Sequence, residues 1–399
     1  MKYLSEIFEV PISGEWGNES DGSGVKVIRT TNFTNYGQLD LDKWIAVREI
    51  SEAKIHKKKL QYGDSIIEKS GGSPDQPVGR AVFFHVENNV YLCNNFTAIL
   101  RPKREYHPKF CFYVLYYLYN NKAVIKYQNK TTGIINLKLN DYLKGTRIFI
   151  PPFEIQQKIA DVLDKAQALI DKRKEQLEKM DELVQSVFYE MFGDPVMNPK
   201  KWRITKLDEV ANIVSGVTKG RKMGADTTLS VPYMRVANVQ DGHLVLTEIK
   251  EITVSPNEVK AYHLEHGDLL MTEGGDPDKL GRCAIWRDEI PGCIHQNHIF
   301  RVRLDRQILQ SEYLCFLAGS PYGKRYFLRA GKQTTGIATI NSKQLKNFPV
   351  LLPPIDLQNK FAEFVEKIEQ QKALMKESLV EMENNFHSIM QRAFKGELF

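Results

Sequence analysis

Short phrases recur along this chain in the same order and at a nearly constant distance, and that doubling constrains the fold more than any other feature. Gly63-Asp64-Ser65-Ile66-Ile67 returns as Gly267-Asp268-Leu269-Leu270-Met271, an offset of 204. Leu4-Ser5-Glu6-Ile7 pairs with Leu207-Asp208-Glu209-Val210, and Arg29-Thr30-Thr31-Asn32 with Arg235-Val236-Ala237-Asn238. Gly79-Arg80 returns as Gly281-Arg282, Thr131-Thr132-Gly133-Ile134 as Thr334-Thr335-Gly336-Ile337, and Pro151-Pro152 as Pro353-Pro354. The offsets stay between 202 and 206, the drift that small loop insertions produce. One matched tetrapeptide arises by chance; six in order do not. The 399 residues are two copies of a unit of about 200, far above a solenoid period and large enough for each copy to bury its own core.

Each copy divides into a globular head and a helix. After Pro151-Pro152 the apolar positions run Ile155, Ile159, Val162, Ala166, Ile170, Leu177, Met180, Val184, Val187 and Met191, with Arg173 interrupting. Spacings of three and four mark a helix with a heptad-like stripe. The paired prolines suit its start, and Gly193-Asp194-Pro195 its stop. The second copy repeats the frame at Leu357, Phe361, Phe364, Ile368, Met375, Leu379, Met382, Phe386 and Ile389, with Lys372 as the interruption. About 38 residues at 1.5 Å each give a rod of roughly 57 Å, much longer than an average helix. So long a stripe must bury itself against another helix, and the other copy supplies one. An intramolecular coiled coil is expected, packed through Ile159, Val162, Leu177, Met180, Phe361, Phe364, Leu379 and Met382. The expected domains are a first head at 1–150, its helix at 151–196, a second head at 197–353 and its helix at 354–399. The heads read as mixed α/β (α+β). Short β-rich runs appear at Val25–Ile28, Ala81–Phe84 and 299–303, and one helix per copy near 110–120 and 311–318.

Charge segregates with this division. Each head carries a net +6, whereas the helices carry −4 and −2. Basic heads suit a polyanion, which they bind by neutralising phosphates, and acidic helices are repelled by it. A head of this charge also occurs among proteins that bind no nucleic acid. Arg, Asn and Gln are the residue types that reach base edges, while Lys and Thr hold phosphates. The candidate DNA-binding residues of the first head are Arg29, Asn32, Lys57, Lys58, Lys59, Arg80, Lys130, Thr131 and Thr132. Those of the second are Arg221, Lys222, Arg235, Asn238, Arg282, Gln333, Thr334 and Thr335. Any one basic cluster is equally a solvated loop, and the Thr-Thr-Gly loops are equally packing turns. The signal lies in the pairing between copies.

Catalytic patterns are missing. Ile150-Pro151-Pro152-Phe153 has the outline of the Asn/Asp-Pro-Pro-Tyr/Phe motif of amino-methylating DNA methyltransferases, but Ile150 cannot hold an amino group, and Leu352-Pro353-Pro354-Ile355 lacks the aromatic too. Both read as helix-entry prolines. No GxxxxGK[ST] loop is present, so nucleotide-driven chemistry is not expected. His263/His266 and His295/His298 share an i, i+3 spacing without a counterpart in the first copy, and no metal site is expected there. Five cysteines without a CxxC pair point to a reducing compartment, and neither a signal pattern nor a membrane-length apolar run is seen.

Taken together, the residues resemble the specificity subunit of a Type I restriction–modification system. The phrases that carry the likeness are Gln333-Thr334-Thr335-Gly336-Ile337 and Leu351-Leu352-Pro353-Pro354-Ile355-Asp356-Leu357-Gln358, with first-copy forms Thr131-Thr132-Gly133-Ile134 and Ile150-Pro151-Pro152-Phe153-Glu154-Ile155-Gln156-Gln157. The Trp202…Lys206-Leu207…Ser215-Gly216 opening of the second copy is similar as well. The resemblance implies two target recognition domains on antiparallel helices, each reading one half of a split site in double-stranded DNA. It implies two methyltransferase subunits, which carry S-adenosylmethionine and the catalytic loop, and restriction subunits with ATP- and Mg-dependent translocase and nuclease activity. This chain itself would hold no cofactor, and the setting would be the prokaryotic cytoplasm. One departure is that the first copy lacks a Trp-containing lead-in before Leu4, so its first strand is expected to be shorter or borrowed. A coiled-coil adaptor without a DNA role and a solitary DNA-binding regulator are the competing readings. A fused methyltransferase–nuclease is not expected, since two heads and two helices account for these 399 residues.

Overall fold

A computed structural model describes residues 1–73, 76–131, 134–220, 228–275, 280–334 and 337–399, apart from the side chains of Lys130, Thr131, Gln333, Thr334 and Ile337. The chain forms two compact units, one of residues 1–174 with 377–399 and the other of 175–376. Each unit therefore holds a head together with segments of both long helices, rather than heads and helices forming separate bodies.

In the first head, an antiparallel sheet runs in the order Ile12–Ser13, Thr97–Leu100, Ser65–Glu68, Ala81–Phe83. Its two central strands are buried along their whole length, so they read as continuous runs instead of alternating ones. The period of two still sorts their side chains. Ile67, Ala98 and Leu100 join the core formed with the helix Pro108–Asn120, while Ile66, Ile99 and Val82 join a second core with Ile28, Phe84 and Cys93. That second core lies under the sheet Asn18–Glu19, Ala46–Glu49, Val25–Ile28, Tyr91–Cys93, whose last pair is parallel. The second head repeats the plan with Ala211–Ser215, Ile299–Leu304, Leu269–Thr272, Cys283–Ile285 and a sheet of Lys250–Val254, Leu229–Met234, Ile294–His295. The strands and helices expected from the sequence are present, and the second head adds a helix, Pro321–Ala330, that the periodicity did not reveal. The opening strand of the first head, Lys2–Tyr3, pairs over two residues with Arg147–Ile148, whereas Arg203–Lys206 pairs over four with Pro349–Leu352.

The long helices are Phe153–Phe192 and Ile355–Lys395, each starting just after its proline pair. In the second unit Asp181 meets Lys372 and the Phe192 ring meets Phe361 at 5.4 Å, so the helices run antiparallel. In the first unit Lys174 pairs with Glu383 at 2.9 Å, and Gly396 lies beside Phe149, giving the same direction. Ile159 and Phe361 are fully buried as expected. Val162, Leu177, Met180, Phe364, Leu379 and Met382 are only half-buried, and Leu163, Phe188, Phe192 and Val365 fill the core instead. The reason is that each helix packs against a head as well as against its partner, which turns the buried stripe by one position toward the head. Phe188 stacks on Tyr313 at 5.7 Å, Phe192 meets Tyr313 at 4.7 Å, and in the first unit Phe394 meets Phe110 at 5.5 Å and Tyr117 at 5.0 Å. Helix entry is pinned identically in both copies. The buried Gln156 amide accepts from the His107 N–H and donates to the Pro151 carbonyl, as Gln358 does with Gln310 and Pro353. The Pro-Pro…Gln phrase is thus a splice between head and helix. Among the described residues no helix is long and apolar enough to cross a membrane.

Candidate nucleic-acid interface

The phrases shared by the two copies are mostly consumed inside the heads. Gly63 and Gly267 take φ of +92° and +82°, a turn that glycine adopts without strain, and each delivers the following aspartate into the core. Asp64 accepts from the Gln61 N–H and holds Arg101 through two bonds of 2.8 Å; Asp268 does the same with Glu265 and Arg303, at 2.8 and 2.7 Å. Hydrogen bonding to the carboxylate raises the pKa of both arginines above the usual value.

Asn32 and Asn238 are corrected from base readers to structural caps. Asn32 is fully buried; its Oδ1 accepts from the Arg29 N–H at 3.1 Å and its Nδ2 donates to the carbonyls of Asp40 and Trp44. Asn238 accepts from the Arg235 N–H at 3.0 Å and donates to Val245 and Glu248. A side chain with all its hydrogen-bonding capacity spent in a core cannot reach a base edge. Arg80 is corrected likewise: it forks onto Glu68 with two bonds of 3.2 Å, and the Glu68 carboxylate is almost wholly buried. Arg282, its counterpart, donates to Gln240 at 2.8 Å. Arg235 donates to the Glu248 carbonyl at 2.8 Å and pairs with the Glu248 carboxylate at 3.4 Å, which it shares with Lys250.

Other candidates stand at the surface. Lys57 and Lys59 are exposed on and just after the helix Glu52–Lys58, but Lys58 turns back to Glu15 at 2.9 Å and holds that carboxyl below its usual range. Arg29 lies over the ring of Trp44 at 4.5 Å, and among the described residues no carboxylate pairs with it. Trp44 is 67% exposed, which makes an arginine–tryptophan pair open to a ligand. Nearby, Arg48 lies over Trp16 at 4.0 Å. Neither tryptophan recurs in the second copy, so the pairing between copies carries no sign of either. Arg221, Lys222, Thr132 and Thr335, and the side chains of Lys130, Thr131, Gln333 and Thr334, lie outside the described residues.

The strands that flank the Thr-Thr-Gly phrases have a defined pairing, although Thr132-Gly133 and Thr335-Gly336 themselves lie outside the described residues. Gln128–Thr131 and Ile134–Leu137 form a hairpin whose second strand pairs with Ser70–Gly71, so two motifs far apart in sequence share one small sheet. Lys332–Thr334, Ile337–Thr339 and Gly274–Gly275 build the same sheet in the second head. His295 and His298 do not converge: His295 is buried between the carbonyls of Tyr262 and Val214, and His298 faces Glu273 at 2.6 Å.

Residues 1–179 and 199–384 match the family model of the Type I restriction modification DNA specificity domain. The chain belongs to this family. Among its relatives are the EcoKI specificity subunit of Escherichia coli strain K12, 26% identical over 93% of this chain and 82% of the relative. The StySPI specificity subunit of Salmonella potsdam is 25% identical over the same shares. The fold is that of a solved chain from a type I restriction–modification system, with a TM-score of 0.58 at 18% identity over 100% of this chain and 97% of the other. A type I S subunit from M. genitalium gives 0.52 at 13% identity over 98% and 95%. As a Type I specificity-domain protein the chain has a role in sequence-specific DNA recognition, and its family is the non-catalytic one of the system.

Proposed function

We propose that the chain reads a bipartite site in double-stranded DNA, one half-site per head, and directs methyltransferase and restriction subunits to it. The observation that carries this reading is the duplication itself. Two basic heads share one backbone plan and one way of gripping the helices, yet differ in the side chains they expose. Two equivalent frames with different surfaces suit two different half-sites, and the length of the paired helices sets the unread gap between them. The acidic helices are the protein-facing surfaces, on which two modification subunits dock. S-adenosylmethionine belongs to those subunits, and ATP and Mg to the restriction subunits; this chain contributes recognition alone. Co-expression with its methyltransferase partner, followed by mapping of methylated adenines, tests the reading. A split motif is expected, and a stable complex that methylates no defined sequence overturns it.

A further inference from the structure

The caps, forks and turns common to both heads cannot tell one half-site from another, because they are the same residues doing the same internal work. Discrimination must come from positions that the frame holds identically but fills differently, and one such place recurs in both heads. At the end of Ser65–Glu68 the chain leaves the main sheet for the small hairpin sheet. There the Lys69 N–H donates to the Phe96 carbonyl at 2.8 Å, and the Lys69 carbonyl accepts from the Leu137 N–H at 2.9 Å. In the second head the Glu273 N–H donates to the His298 carbonyl at 2.9 Å, and the Glu273 carbonyl accepts from the Ile340 N–H at 2.8 Å. The backbone fork is the same, and the side chains are opposite in kind.

We propose that this fork is a specificity-determining site, with Lys69 and Phe96 setting the base preference of the first head and Glu273 and His298 that of the second. The inference rests on the DNA-reading function above. Phe96 is 43% exposed, and the side chains of His298 and Glu273 are 56% and 30% exposed, so the fork is open to a ligand. It also lies at the root of the small sheet in which Ser70–Gly71 pairs with Ile134–Leu137, and Gly274–Gly275 with Ile337–Thr339. Lys69, a donor only, currently donates to the Ser13 hydroxyl, and it matches the acceptor edge of guanine. Phe96 beside it offers apolar contact to a thymine methyl. Glu273, an acceptor only, matches the exocyclic amine of cytosine or adenine, and its bond to His298 Nδ1 fixes the imidazole next to it.

The test is selection from a random duplex library by the tagged full chain, purified with whatever methyltransferase subunits accompany it. Wild type is compared with Glu273→Lys, Lys69→Glu and the isosteric Glu273→Gln, each checked for an unchanged melting temperature. Glu273→Lys is expected to replace the preferred base at one position of one half-site, shifting discrimination there about tenfold or more, with the other half-site unchanged. Lys69→Glu is expected to do the same in the other half-site, and Glu273→Gln to relax that one position. Unaltered base preferences in the folded variants overturn the proposal. So does a uniform loss of affinity with a salt slope shallower by about one, which marks a phosphate contact. A wild-type protein that selects no sequence overturns the DNA-reading function, a different failure from unaltered variants of a selective protein.

Discussion

Lys372 interrupts the apolar stripe of the second long helix, and its ammonium lies 2.6 Å from Asp181 Oδ1 on the first helix and 2.7 Å from Glu369 Oε1 on its own. Burial acts to lower its pKa, but the hydrogen bonds to Asp181 and Glu369 outweigh it and the value is raised. A raised lysine contributes fully below its unfolded value near 10.4 and loses that contribution only as pH rises through the folded value. Lys372 is therefore expected to add no pH dependence to stability below about pH 9.

Lys372→Met is expected to be neutral or stabilising by about 1 kcal/mol, since an apolar residue fits the stripe and both carboxylates remain solvated. Asp181 is 68% exposed, so Asp181→Ala costs at most about 1 kcal/mol. Thermal unfolding of the full chain checks both, and a large loss in Lys372→Met would make the pair a strong source of stability.

Asn238→Ala and Asn32→Ala leave buried carbonyls and an amide without partners. Each is expected to cost about 2–3 kcal/mol and to weaken binding to all duplexes alike through loss of folded protein. A melting curve together with binding to two unrelated half-sites decides this; altered base preference at an unchanged melting temperature would restore a reading role.

Arg29 and Arg235 occupy equivalent positions but are not equivalent in charge. Arg29→Ala is expected to lower duplex affinity and reduce the salt slope by about one, whereas Arg235→Ala reduces the slope by less, because Glu248, which Arg235 shares with Lys250, offsets part of that charge. Titrations between about 50 and 200 mM salt compare them.

Gly14 and Gly216 are each pressed against a carbonyl, of Asn94 and His295 respectively, so that a Cβ would fall inside the oxygen's contact radius. Gly216→Ala is expected to destabilise by about 3 kcal/mol or more. Urea unfolding followed by tryptophan fluorescence measures it.

His295 gives the molecule an acid-sensitive point. Burial pushes its pKa down to about 4, although the carbonyls of Val214 and Tyr262 pull the other way. The unfolded chain takes up the proton first, so stability is complete above about pH 6.5 and falls as pH drops toward 4, by at most about 3 kcal/mol. His295→Gln should flatten the melting temperature over that range, whatever its own cost at pH 7; an unchanged acid slope would assign the effect to other groups.

What the sequence alone determined are the properties written in order and period. The tandem frame follows from repeated phrases, the helices from spacings of three and four, and the basic heads from a count. Tertiary structure decided which side chains remain available. Asn32, Arg80 and Arg235 have the composition of a DNA-reading surface, yet they are spent on caps and ion pairs, because their partners are brought to them by folding. The partner of Asp64 lies 37 residues away, and that of Lys372 lies 191 away on the other helix. No local pattern encodes such a meeting. The stripe shifted from Val162 to Leu163 for the same reason: periodicity marks an apolar face, but what packs against it sets where the face is centred. Trp44 beside Arg29, and the opposed pairs at Lys69 and Glu273, differ between the copies, so the repetition that revealed the frame concealed them. Exposure and proximity are sums over contacts distant in the chain, and only the folded molecule carries them out.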